Sequence, residues 1–132
     1  MTLLPTRGEL ERALCQRIQT LYREQLGHQP GKISCCISEQ QIAIVIENAM
    51  TPPEQILVSQ GKEALVEAVR SGLDQAIRPQ LQQLIQDIVH LEVTDVLSDA
   101  TLETGRTGTI AILSGAVQLR ESSSRRKQVS VS

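Results

Sequence analysis

The sequence predicts an α+β fold of two layers, with four strands in one mainly antiparallel sheet and the helices on one face. Three observations predict it. Two stretches carry apolar residues at helical spacing. Two pairs of short apolar runs are each joined by polar residues. The elements alternate as helix, hairpin, helix, hairpin, an α-β-β-α-β-β order.

Residues 1–7 read as a lead-in, and residues 8–120 as one domain. From Gly8 the pattern is helical: Leu10, Leu14, Ile18, Leu21 and Tyr22 form one apolar stripe, with charged residues on the other faces. Gly27 is a helix stop and Pro30 follows it. Ile33 to Ser38 alternates, with Ile33, Cys35 and Ile37 on one face and Ser34, Cys36 and Ser38 on the other. Glu39-Gln40-Gln41 is the turn. Ile42 to Ile46 is apolar on both faces, which predicts a central strand or one covered on both sides.

Thr51 is the expected cap of the next helix, with Pro52 or Pro53 in its first turn and Glu54 near its positive end. That helix runs through Val58 and is interrupted at Gly61. A long helix follows, with Leu65, Val69, Leu73, Ile77, Leu81, Leu84, Ile85 and Ile88 on its stripe. Pro79 lies inside it, which predicts a kink or a break. Leu91 to Leu97 is the third strand, and Thr109 to Leu113 or beyond the fourth, with Ser98 to Gly108 a long loop between them. Residues 121–132 form a polar tail without a helical stripe, expected to be disordered. Its Arg125-Arg126-Lys127 cluster is too small to hold a membrane by itself.

Composition narrows function mainly by exclusion. Tyr22 is the only aromatic residue, so Ile, Leu and Val build the core and no stacking platform for single strands is available. The net charge of −2 forces no broad basic face, which disfavours nucleic acid as a partner. No apolar run approaches the ~20 residues of a membrane-spanning helix. Cys15, Cys35 and Cys36 lack metal-ligand spacing and read as small buried thiols in a reducing, cytoplasmic setting.

The residues assign no catalytic, cofactor or metal set. His28 and His90 each follow a helix end and read as dipole caps. A Cys36–His28 dyad lacks any surrounding signature. Arg70, Asp74 and Arg78 stand four residues apart and read as a solvated salt-bridge ladder, with partner docking by Arg78 the lesser reading. Ser98, Asp99, Thr101, Glu103, Thr104 and Arg106 bring oxygens and one guanidinium together in the second hairpin. They read as a loop capping its own backbone or as an anion, metal or partner site. Thr104-Gly105-Arg106-Thr107-Gly108 lacks the lysine and spacing of a phosphate-binding loop.

Leu21-Tyr22-Arg23-Glu24 with Gly27 and Pro30, the Thr51-Pro52 helix start, Ile77-Arg78-Pro79, and Val96-Leu97-Ser98-Asp99 with Thr104-Gly105 together resemble the MpsC family, also called YbcI-like. The resemblance covers roughly Gly8 to Leu113. Gly108 and the cysteine-rich first strand depart from the family's usual pattern. The resemblance implies a link to a sodium-translocating, membrane-potential-generating system whose partner components touch inorganic-carbon uptake. The expectation is a soluble, non-enzymatic accessory or regulator, cytoplasmic or held beside the inner membrane by transporter subunits. Its expected partner-binding residues are Arg78, Ser98, Asp99, Thr104, Gly105 and Arg106. A homodimer or larger homo-oligomer is expected as well, covering the second face of the sheet. The alternative is a small-anion binder or small enzyme using the Ser98–Gly108 loop.

Overall fold

The computed structural model describes residues 3–120, so the polar tail lies outside the described residues. Helix α1 (Arg7–Leu26) starts at Thr6. The Thr6 hydroxyl accepts from the Glu9 N–H, and the Glu9 carboxylate accepts from the Thr6 N–H. This reciprocal pair satisfies two donors that a helix start leaves free. The bond from the Thr6 backbone is the main cause that lowers the Glu9 carboxyl below its ordinary range. Leu10, Leu14, Ile18 and Tyr22 recur every four residues and are all buried. Gly27 ends the helix at φ 61°, a left-handed conformation that disfavours most side chains.

Strands β1 (Ile33–Ser38) and β2 (Gln41–Ile46) form the first hairpin. Helix α2 (Pro52–Ser59) and helix α3 (Glu63–Val89) follow, then β3 (Val93–Thr101) and β4 (Arg106–Leu113). The sheet order is β1-β2-β4-β3, and every neighbour is antiparallel. β2 is therefore central, as its two-sided apolar pattern predicts.

One sheet face is the core. Cys35, Ile37, Ile42, Ile44, Ile46, Ala111 and Leu113 meet the α1 stripe and Ile77, Leu84, Ile85 and Val89 of α3. Beyond β4 the chain turns back along the molecule. Val117 N–H bonds Glu39 O, Arg120 N–H bonds Pro5 O, and Val117 and Leu119 pack on the core.

Two expectations need correction. First, α3 runs unbroken through Pro79. Core residues on both sides of it, Ile77 and Leu84, anchor one continuous helix, so the expected break is absent. Second, the expected loop Ser98–Gly108 is mostly strand. β3 extends to Thr101, β4 begins at Arg106, and only Leu102 to Gly105 turn. Cross-strand pairing of Ser98 with Thr109, Asp99 with Gly108 and Thr101 with Arg106 outweighs the weak strand preference of these polar residues. β3 also carries a register shift between Val93 and Asp95. Val93 and Val96, three residues apart, both turn inward, which strict alternation forbids and one bulge permits.

Both sheet edges are blocked by side chains. Along β1, the Ile37 N–H bonds the Glu11 carboxylate at 2.9 Å, and Arg7 donates to the Ile37 carbonyl. Cys15 Sγ donates to the Ile33 carbonyl at 3.4 Å. Along β3, Asp95 and Asp99 accept from the N–H of Val96 and Ala100 at 2.9 and 2.8 Å. These bonds occupy backbone groups that would otherwise template pairing with another strand.

Candidate functional site

The N-terminal half of α3 stands off from β3 and leaves a groove of about 700 Å³. Glu63, Glu67, Arg70, Ser71 and Asp74 line its helical wall. Their spacing follows one face of the helix. The opposite wall is β3 and the tip of its hairpin, from Ser98 to Glu103. Thr107 of β4 also lines the groove; it is 7% exposed, and its hydroxyl has no hydrogen-bond partner among the described residues.

The positive charges here are already committed. Arg70 reaches Glu54 at 2.9 Å and the Ala49 carbonyl at 2.9 Å. Glu54 is 1% exposed; its other bonds come from the N–H and hydroxyl of Thr51, at 2.9 and 2.8 Å. Thr51 thus starts α2 as expected, but Glu54 is a buried anion and not a solvated first-turn charge. The expected ladder Arg70–Asp74–Arg78 is half right. Arg78 pairs with Asp74 at 2.8 Å, whereas Arg70 turns to Glu54, because a buried carboxylate without a cation is the costlier alternative.

Arg78 and Asp74 also tie α3 to β3. Arg78 donates to the Val96 carbonyl at 3.2 Å, and Ser98 Oγ donates to Asp74 at 3.1 Å. Arg78 and Ser98 of the expected partner set are therefore brought together, as a clasp between two elements. Asp99 has one carboxylate oxygen on the Ala100 N–H. Thr104 and Gly105 sit in the turn, where Thr101 and Thr104 hydroxyls bond each other and Gly105 adopts φ 71°. The Ala49 N–H bonds the Gly105 carbonyl at 2.8 Å, which fastens the turn to the start of the α2 segment. Arg106 is exposed on the sheet face turned away from the helices.

One histidine, His28, and one cysteine, Cys36, depart from expectation. The His28 ring bonds the Asn48 carbonyl at 2.7 Å, so it fastens the end of β2 and does not cap α1. That contact holds the ring away from any dyad with Cys36. His90 is itself the left-handed C-cap of α3, at φ 61°. Cys35 is buried and Cys36 is exposed on the open face; the reading of all three as buried thiols fails for Cys36, because adjacent strand residues point to opposite faces. Burial pushes the Cys35 thiol far above its ordinary range, and burial also raises the Tyr22 phenol. No three His, Cys, Asp or Glu side chains among the described residues are placed to hold a metal ion.

Sequence reasoning missed Glu54, Glu63, Glu67 and Thr107. Glu63, Glu67 and Asp74 recur at one-face spacing in the sequence, so an acidic stripe was readable. Nothing local marks Glu54 or Thr107, because their partners and neighbours come from other elements.

Fold and groove together define a small α+β protein whose helices cover one side of an antiparallel sheet and whose groove between α3 and β3 is acidic. The family model described as "Na+-translocating membrane potential-generating system (MpsC)" matches residues 6–115. The match begins at the cap of α1 and ends just past β4, so it takes in the whole sheet and all three helices. The chain belongs to the MpsC family. No curated protein and no solved structure matches it.

Proposed function

We propose that this chain is a non-enzymatic accessory of a membrane ion or inorganic-carbon transport system, acting by protein–protein contact on the cytoplasmic side. The family match over residues 6–115 carries this reading, because the family's description names a Na+-translocating system. No described helix is long and apolar enough to cross a membrane, which fits a role beside a membrane component. The hairpin residues Asp99, Thr104, Gly105 and Arg106, with the Arg78–Ser98 clasp beneath, are the first docking surface to test.

The reading includes self-association through the open face of the sheet. Cys36, Ala43, Ile110 and Leu97 form one row across all four strands on that face, and Leu97 is 56% exposed. Val45 and Ile112 extend the row into a small apolar field. A two-fold axis along the strands lays the acidic β3 margin, Asp95 and Asp99, over the uncharged Ser34 and Ser38 of the second copy.

The competing small-anion reading finds little support in the charge. The groove beside the hairpin is lined by more carboxylates than cations, and its one guanidinium is bound to Glu54.

Capture from native membranes tests the accessory role. The full-length protein is expected to recover a membrane subunit of a Na+-translocating system, identified by mass spectrometry. Asp99→Ala with Arg106→Ala is expected to lose it while shifting stability by only about 1 kcal/mol, as for polar groups outside a core. Recovery of no such subunit refutes the role; recovery by the double variant moves the docking surface elsewhere.

A further inference from the structure

We propose that the groove between α3 and β3 seats an extended basic segment of a partner polypeptide, its Arg or Lys side chains pointing at the groove's carboxylates. The proposal rests on the accessory reading and names the partner's chemistry.

Charge is the first argument. Glu63, Glu67 and Glu103 line the groove and have no ion pair among the described residues. The cations nearby, Arg70 and Arg78, are spent on Glu54 and Asp74. A cleft lined by one sign of charge concentrates the field and draws the opposite charge.

Thr107 supplies an independent argument. Its side chain is more than nine-tenths buried, it lines the groove, and its hydroxyl is unpartnered. Buried hydroxyls are nearly always bonded, so this one is an acceptor in waiting. A guanidinium or ammonium reaching the floor of the groove would satisfy it.

Shape decides for a peptide over a lone cation. The unpaired carboxylates stand on both walls, Glu63 and Glu67 one turn apart on α3 and Glu103 at the tip of the second hairpin. Several side chains along one extended peptide reach carboxylates on both walls, where one ammonium serves a single wall. No three ligating side chains converge for a metal ion among the described residues. Asp95 and Asp99 occupy the Val96 and Ala100 N–H on the β3 edge, so recognition is through side chains and not by strand addition. Cytoplasmic loops of membrane proteins are rich in Lys and Arg, so such a segment is available where the accessory would work.

The test is fluorescence anisotropy with a labelled, end-blocked peptide of alternating Gly and Arg, in the full-length protein. Glu67→Gln with Glu103→Gln is expected to weaken binding by about tenfold. Glu39→Gln with Glu92→Gln, at the other end of the sheet and equal in charge change, is expected to leave it unchanged. Thr107→Val is expected to weaken binding about fivefold, the loss of one hydrogen bond, with no fall in melting temperature. Three results overturn the proposal: equal weakening by the distant pair, unchanged binding in Thr107→Val, or binding of spermidine but not of the peptide. Failure here with membrane-subunit capture intact overturns the groove and leaves the accessory role standing. Failure of capture with peptide binding intact does the reverse.

Discussion

Glu54 is the residue on which the groove's architecture depends. It is 1% exposed, and Arg70, itself 11% exposed, is its only charged partner among the described residues. Removing one member of a buried pair strands the other charge. Arg70→Met is expected to cost about 3–5 kcal/mol in urea unfolding, and adding Glu54→Leu is expected to return most of that loss. A cost below that of an ordinary surface change would mean that water reaches Glu54. Cys35 makes a second residue-scale prediction. Its folded thiol is raised from an ordinary value of 9.0 by burial, so the folded state holds the proton after the unfolded chain has lost it. This group's stabilising effect is complete below that ordinary value and is lost as pH rises above it. Stability measured against pH is expected to fall in alkali, with a shallower fall in Cys35→Ala. An unchanged slope would show that the thiol is not the cause. Cys36, exposed on the opposite face, is expected to react with iodoacetamide in the folded protein while Cys35 does not.

Among the elements, α3 performs two tasks with its two halves. The C-terminal half buries Ile77, Leu84, Ile85 and Val89 against the sheet; the N-terminal half buries Val66 and presents the acidic stripe to the groove. Pro79 lies within the half that packs on the core. A helix-interior proline removes one backbone bond and crowds the carbonyl four residues earlier, at a cost of about 3 kcal/mol. Pro79→Ala is therefore expected to raise the melting temperature, by less than that full cost because alanine also frees the unfolded chain. A lower melting temperature would show that the proline sets the helix direction needed for the Arg78–Val96 bond. The second hairpin illustrates a different balance. Its polar residues read locally as loop, yet three of its sites are occupied by bonds that fasten it: Ser98 to Asp74, Asp99 to Ala100 N–H, and Gly105 carbonyl to Ala49. The tip is therefore held in place against α3 and the α2 segment.

At the scale of the molecule, the sheet has one face under helices and one face bare. Ile110 and Ile112 of β4 and Val45 of β2 lie on the bare side at the centre of the sheet, with Leu97 of the edge strand β3 beside them. Apolar fields of this kind on a small protein mark interfaces. Sedimentation at micromolar concentration is expected to show a dimer or larger species, and Leu97→Glu with Ile110→Glu to show a monomer of unchanged fold. A monomeric parent protein would refute self-association. Protection of Cys36 from iodoacetamide as concentration rises would place the contact on this face.

The order of elements was legible in the sequence because each depends on near neighbours. The stripe Leu10, Leu14, Ile18 and Tyr22, the stop at Gly27, the alternation from Ile33 to Ser38 and the Thr51–Pro52 start all act within a turn or two of chain. The family resemblance was legible for the same reason, as residue types in fixed order. What only the tertiary structure decided involves partners distant in sequence. The hairpin strands lengthened because β4 found β2 and β3 on its two sides. Arg70 left Asp74 for Glu54, sixteen residues away, because α2 carries that carboxylate into the interior. The groove, its unpartnered Thr107 hydroxyl and the bare sheet face arise only when α3, β3 and β4 are assembled. Local pattern reports which side of an element is apolar; burial and charge pairing across elements decide what each side meets.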